Sequence, residues 1–170
     1  MKYIKYILSL LVISLAGLSS CETYGKYEIE YSSIHPLSGM YRITIVDEAG
    51  TEVLRNYVQV YNTEDESKTQ CWIRVAALTT AATNGYSICG KINCDVNALT
   101  FSGENIGNYA GNVAATTTTF SLTGGKVVLA GATAPSGTVT DAISFAFTNS
   151  RFPGKTYTAT GYRYTGWAED

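Results

Sequence analysis

The chain has 170 residues, of which 12 are basic and 14 acidic, so its formal net charge at pH 7 is −2. A weakly acidic chain without basic clusters argues against nucleic acid as a partner, because that binding depends on neutralising phosphates. The chain contains 13 tyrosines and only three prolines. This composition favours β-strands, since aromatic and β-branched side chains suit a pleated, half-buried surface.

The first 20 residues have the pattern of an export signal. Lys2 and Lys5 precede a short apolar run, which Leu18-Ser19-Ser20-Cys21 closes. The run is too short to span a bilayer, so we predict a leader that is cleaved. The motif resembles a bacterial lipoprotein lipobox. That resemblance implies cleavage before Cys21 and acylation of the Cys21 sulfur. The product would be a lipid-anchored protein of the cell envelope. We expect it at the outer membrane, on either the periplasmic or the surface face. The alternative is an ordinary secretory signal with an incidental cysteine.

Removal of this leader would leave one domain and a short tether. The remaining 150 residues are enough for a single core. They carry 10 basic and 14 acidic side chains, so the acyl chains, not anionic headgroups, are expected to hold the protein on the membrane. Residues 21–36 are predicted to be a lipidated tether, because they are largely polar and show no clean alternation. The folded domain is predicted over 37–170.

Alternation with a period of two residues runs through the predicted domain. In its first segment Tyr41, Ile43 and Ile45 alternate with Arg42 and Thr44. Such alternation is typical of strands with one buried face. Turn signals rich in glycine, proline, asparagine and aspartate separate successive segments. The predicted strands cover about 40–47, 53–61, 70–78, 86–95, 98–102, 117–122, 126–130, 138–148 and 156–165.

Short turns between consecutive strands favour an all-β antiparallel meander of eight or nine strands. The Gly124-Gly125 pair is predicted to be one of these turns. We expect the meander to close into a barrel, because closure removes exposed strand edges. A two-sheet β-sandwich is the alternative that the pattern leaves open.

Three segments carry a resemblance to known proteins. Gly39-Met40-Tyr41 looks like the Gly-x-Trp/Tyr start of lipocalin-type barrels. The ending Gly161-Tyr162-Arg163-Tyr164-Thr165-Gly166-Trp167-Ala168-Glu169-Asp170 is similar to that of the lipid-binding putative hydrolases, and residues 95–103 also look like that family. These are small lipobox-bearing lipoproteins. The resemblance covers about 37–170 and implies a lipocalin-like (calycin) barrel and lipid binding. It brings no catalytic residues that can be placed here.

Residues suited to catalysis or metal binding are sparse. His35 is the single histidine, it precedes Pro36, and no Gly-x-Ser-x-Gly motif occurs. A histidine acts as a catalytic base only when it is oriented beside a nucleophile. Without such a motif, we interpret His35 as an ordinary loop residue. Three thiols without a nearby histidine do not form a typical zinc site. A calcium site at Glu64-Asp65-Glu66 is an alternative to a solvated turn. We predict no catalytic residue, metal site or cofactor.

The apolar faces of the strands predict a ligand site inside the barrel. Barrels of this size either hold one small ligand or are filled by their own side chains. We expect a lipid or another apolar or amphiphilic small molecule as the ligand. The alternatives are a surface interaction module with an outer-membrane protein partner, and a hydrolase as the family name suggests. The predicted lining residues are Ile43, Ile45, Ile73, Val75, Asp141, Ile143, Phe145 and Phe147.

The positions of the cysteines in the inward and outward alternation predict one candidate disulfide. Cys71 and Cys94 both fall on the apolar faces of their strands, whereas Cys89 has the opposite parity and is predicted to point outward and stay free. If the hairpin is centred between Ala82 and Thr83, Cys71 lies directly opposite Cys94. An exported protein would then be able to oxidise this pair. Two buried free thiols are the alternative.

Overall fold

The computed structural model describes residues 28–75, 86–110 and 118–170, together with Tyr3, Ile4 and Tyr6. Cys21 and its motif, the predicted hairpin centre at 82–83, and part of the predicted tether lie outside the described residues. The chain divides into two compact units, residues 1–30 and 31–170. Tyr3, Ile4 and Tyr6 are helical. None of the helical segments described is long and apolar enough to cross a membrane.

Within the described residues, eight antiparallel strands close into a barrel in the order of the sequence, and the last strand pairs with the first. The predicted all-β fold and the closed, lipocalin-like barrel are therefore confirmed, and the β-sandwich alternative is wrong. The strands are β1 (Gly39–Val46), β2 (Glu52–Asn62), β3 (Gln70–Val75), β4 (Ile88–Asp95), β5 (Thr100–Gly107), β6 (Thr119–Thr133), β7 (Val139–Asn149) and β8 (Thr156–Arg163).

The predicted turn at Gly124-Gly125 is wrong, because β6 runs through it as one strand of 15 residues. The two predicted strands 117–122 and 126–130 are parts of this strand. A bulge carries the strand across the glycines: the register with β7 shifts between Thr123 and Lys126, and Gly124 has a φ of 61°. A Cβ on Gly125 would lie 2.3 Å from the carbonyl oxygen of Phe101. The glycines thus allow a bulge and a close approach of β5 and β6.

The core is the barrel interior, filled by alternate residues of the strands. The inward positions of β1, β3 and β7 are buried as the period of two predicts. Ile34 and Leu37, which precede β1, are also buried in this core. The segment that the sequence pattern assigned to the tether therefore contributes Ile34 to the core of the barrel.

Arg163 closes the end of the barrel at which β1 begins and β8 ends; we call it the closed end. Its guanidinium donates to the carbonyl oxygens of Pro36, at 2.5 Å, and Ser38, and to the hydroxyl of Tyr41 at 2.8 Å. Its Nε lies 2.9 Å from the Asp141 carboxylate, and its Cζ lies 4.9 Å from the centre of the Tyr41 ring. One cation thus joins β1, β7, β8 and the segment before β1.

The ion pair and its neighbours are largely removed from water. The side chains of Arg163 and Asp141 are 24% and 21% exposed. Burial raises the pKa of Tyr41 to about 12, although the charge of Arg163 acts in the opposite direction. Tyr41 therefore stays neutral at physiological pH and donates its own hydrogen bond to the carbonyl oxygen of Leu37 at 2.9 Å.

We predict that Arg163→Met lowers the free energy of unfolding by roughly 3 kcal/mol, because the Asp141 carboxylate would keep its burial and lose its partner. Urea titration followed by circular dichroism measures this change. Arg55→Met is the matched control: Arg55 pairs with Glu52 at 2.8 Å but its side chain is 72% exposed, so a much smaller loss than in Arg163→Met is expected. Equal losses in the two variants would contradict a special role for Arg163.

The register between β3 and β4 places Cys71 opposite Ile92, not opposite Cys94. The predicted register is therefore wrong by two residues. The step of two preserves the face, so Cys71 and Cys94 still share the inner face as diagonal neighbours. Burial, and next the nearby Cys94 thiol, raise the pKa of Cys71. Cys89 lies on the outer side of β4, as predicted, but it is buried under Trp72 and Ala110.

All three described thiols are free in the structure, and the Cys71–Cys94 disulfide stays a prediction. Diagonal neighbours in a sheet lie about 7 Å apart, and here the two thiols are near enough for each to influence the pKa of the other. We expect peptide mapping of the protein from its native envelope, under non-reducing conditions, to give a peptide that joins Cys71 to Cys94. A major species that contains a Cys89 disulfide would contradict the observed faces.

Candidate functional site

Seven of the eight predicted lining residues point into the barrel and belong to its buried core. They come from β1, β3 and β7, so they surround one interior space. Whether they touch a ligand stays a prediction. These residues are Ile43, Ile45, Ile73, Val75, Ile143, Phe145 and Phe147.

Asp141, the eighth predicted residue, lies at the closed end and its carboxylate is engaged on both oxygens. Oδ2 pairs with Arg163 at 2.9 Å, and Oδ1 accepts a hydrogen bond from the backbone of Ala130 at 2.9 Å. The second bond lies where the register of β6 with β7 shifts again, between Val128 and Ala132, and it holds this part of β6 against β7. Asp141 therefore has a structural role at the closed end, away from the opposite end of the barrel.

A continuous row of aromatic rings crosses the interior, and we call it the aromatic column. Phe101 contacts Phe145 and Phe145 contacts Phe147, both with centroids 5.8 Å apart. Phe147 stacks on Tyr157 at 5.5 Å, and Tyr157 meets Tyr86 edge to face at 6.2 Å. Phe101 lies near the closed end, whereas Tyr157 and Tyr86 lie near the other end, which we call the far end.

The far end combines this apolar row with two phenol groups. Burial raises the pKa of Tyr157, and the neighbouring Tyr86 and the carboxylates of Asp47 and Glu48 raise it further. The Tyr157 hydroxyl is therefore a neutral hydrogen-bond donor at physiological pH. A row of apolar rings that ends in a phenol donor has the chemical character needed to bind a molecule with a long hydrocarbon chain and a polar head.

Two buried asparagines fix the backbone at the far end. Asn108 donates to the carbonyl oxygen of Ser87 at 3.1 Å and accepts from the backbone of Cys89 and Ala110, both at 3.0 Å. Asn149 donates to the same Ser87 carbonyl at 3.2 Å. These bonds hold together the segment before β4, the segment after β5 and the end of β7. The sequence does not predict these two roles, since a polar residue beside a strand end gives no signal that it is buried.

Residues considered for catalysis or metal binding have other contacts. His35 stacks on Tyr31, with centroids 4.1 Å apart, in the segment before β1. Glu66 accepts from the backbone of Ser33 at 2.9 Å and from the side chain of Asn62, and the Ser33 bond lowers the pKa of Glu66. Over the part of the chain that the structure describes, no three His, Cys, Asp or Glu residues are grouped to hold a metal ion.

The family model of the lipid-binding putative hydrolases matches residues 26–168. The chain belongs to this family. The resemblance seen in the ending Gly161–Asp170 is thereby confirmed, and family and barrel together support a lipid-binding role. The family match begins at residue 26, within the predicted tether.

Two further comparisons add little to this family assignment. No curated protein matches the chain. Among solved structures, the chain is similar to a redesigned β-barrel with 16% sequence identity and a TM-score of 0.43, over 81% of this chain and 99% of that one.

Proposed function

We propose that this member of the lipid-binding putative hydrolases is an outer-membrane lipoprotein that holds an amphiphilic, lipid-like ligand in its barrel. The observation that carries the proposal is the aromatic column, which leads from the closed end to the hydroxyl groups of Tyr157 and Tyr86. A hydrocarbon chain would lie along the rings, and its polar head would meet the two phenols.

The ligand enters at the far end, because the closed end is blocked by Arg163 and the buried segment before β1. Entry requires side chains that can yield, since the described interior is packed. Leu54, Tyr86 and Ile106 pack against the core but are only partly buried, and the register places Leu54 opposite Ile45, toward the far end. Displacing half-buried side chains costs less than opening a cavity among fully buried ones.

The described core offers contact surface and phenol donors for the ligand. Its hydrocarbon-lined faces give a lipid chain about 0.8 kcal/mol for each CH2 removed from water. A hydrolase would need a nucleophile and an oriented base beside this column. The function that we propose is ligand binding alone.

We predict that Leu54→Trp weakens binding of a fluorescent C16 fatty acid at least about tenfold, since the larger ring would occupy the entry at the far end. Fluorescence titration of the delipidated protein measures the dissociation constant. Val128→Trp is the matched control, because Val128 is 43% exposed and lies away from the interior. Unchanged affinity in Leu54→Trp, with both variants folded by circular dichroism, would rule out entry at this end.

The membrane attachment in this proposal is an acyl anchor on Cys21. Its support is the lipobox resemblance of Leu18-Ser19-Ser20-Cys21 and the basic, apolar stretch before it. Several acyl chains give durable attachment, whereas a single chain binds only reversibly. The anchor would keep the barrel close to the membrane from which a lipid is taken or to which it is delivered.

We expect cells fed radioactive palmitate to label the wild-type protein and Cys89→Ala, but not Cys21→Ala, which should also leave the membrane fraction. Cys89 is the control because it is another cysteine of the same chain, buried on the outside of β4. A wild-type protein that is soluble and takes up no label would refute the anchor while leaving the barrel site untouched.

The interaction-module alternative has one observation in its favour. Aromatic side chains are exposed on the outside of the barrel at β2 and in the segment after β5. The surroundings of these rings indicate what kind of partner they suit.

A further inference from the structure

Three aromatic rings lie together on the outer surface of β2, β3 and the segment after β5; we call them the outer aromatic cluster. The ring planes of Tyr61 and Trp72 are 7° apart with centroids 6.3 Å apart. Tyr109 meets Trp72 edge to face at 5.6 Å. Tyr61 is 39% and Tyr109 52% exposed. Grouped aromatic rings in contact with water mark a recognition surface more often than single ones do.

The cluster is held in place before any partner arrives. Tyr61 and Trp72 are directly opposite each other in the β2–β3 register. Trp72 packs on the buried Cys89 and Ala110, and Asn108 fixes the backbone of both. A partner would therefore find the rings already ordered, and would lose little entropy in ordering them.

Uncommitted polar side chains surround the cluster. The register places amide and basic residues on both sides of the Tyr61–Trp72 pair and one lysine directly opposite Trp72. Within the part of the chain that the structure describes, none of these side chains makes a hydrogen bond or ion pair to another residue. Their donors and acceptors are available to a ligand. These residues are Gln59, Gln70, Arg74, Lys91 and Asn93.

We propose that this outer face binds a saccharide chain. The ring of a hexopyranose has one face of C–H groups, which stacks on an aromatic ring, and an edge of hydroxyl groups, which needs donors and acceptors. Parallel rings bordered by free amides and cations present both features within a few ångströms. A cavity of about 510 Å³ adjoins Tyr61, so the surface has room for more than one sugar unit. Its lining includes Ser32, Ser38, Gln59 and Asn62.

A protein or a bilayer suits this face less well. A stable protein interface buries about 800 Å² on each partner around a core poor in charge, whereas here polar side chains begin one residue from the rings. The connection from β2 to β3 places Glu64-Asp65-Glu66 beside the cluster. Three carboxylates there disfavour contact with a negatively charged membrane surface.

The test is isothermal titration of the purified protein with maltohexaose, cellohexaose and chitohexaose. We expect at least one to bind with a dissociation constant below about 1 mM, Trp72→Ala to lose at least about tenfold in affinity, and Trp72→Phe to lose less because it keeps a ring. Trp167→Ala is the matched control: Trp167 is the other tryptophan, is 61% exposed, and lies outside the cluster, so its loss should change nothing.

Three outcomes would overturn the proposal: no binding of any of the three saccharides, equal affinity in Trp72→Ala and the wild type, or saccharide-independent sedimentation with phosphatidylcholine vesicles that Trp72→Ala abolishes. The last would assign the face to a bilayer. This inference does not rest on the barrel ligand. Leu54→Trp should leave saccharide binding unchanged, so the two proposals fail separately.

Discussion

Closure of the sheet between β1 and β8 is the constraint on which the rest of the molecule depends. Six residue pairs join these strands, and Arg163 ties the joint to Asp141 and to the carbonyl oxygens of Pro36 and Ser38. A charge-assisted network that is largely removed from water is strong only while every member has its partner. Its loss would open the sheet edge and the closed end together.

Because one end of the barrel is closed by this network, the two ends of the interior differ in their chemistry. The aromatic column has its purely hydrocarbon rings toward Arg163 and its phenol groups toward the far end. At that far end the backbone is fixed by Asn108 and Asn149, which share the Ser87 carbonyl. The buried hydrogen bonds of Asn108 and Asn149 at the far end join neutral groups, whereas the network at the closed end contains a largely buried ion pair. An apolar guest that entered at the far end would leave that ion pair intact.

The period of two predicted which face each strand buries, but not which residues lie opposite each other. It placed Ile43, Ile73 and Phe145 inside correctly, because alternation depends only on the strand itself. It missed the Cys71–Ile92 pairing, since register also depends on the connection between strands. The β6 bulge was missed for a related reason: Gly124-Gly125 has the composition of a turn, and only the neighbouring β5 backbone explains it. Contacts between distant segments, such as Arg163 with Pro36, leave no local pattern.

The same alternation puts the two proposed sites on opposite faces of one strand. In β3, Ile73 and Val75 line the interior, whereas Trp72 and Arg74 face outward. A slip of one residue would exchange these sets, placing an indole and a guanidinium in the core and leaving the aliphatic chains in water. Burying an unpaired guanidinium is far costlier than any gain from the exchange. The interior therefore decides which faces of β2 and β3 point outward, and so it places Tyr61 and Trp72 on the same outer surface.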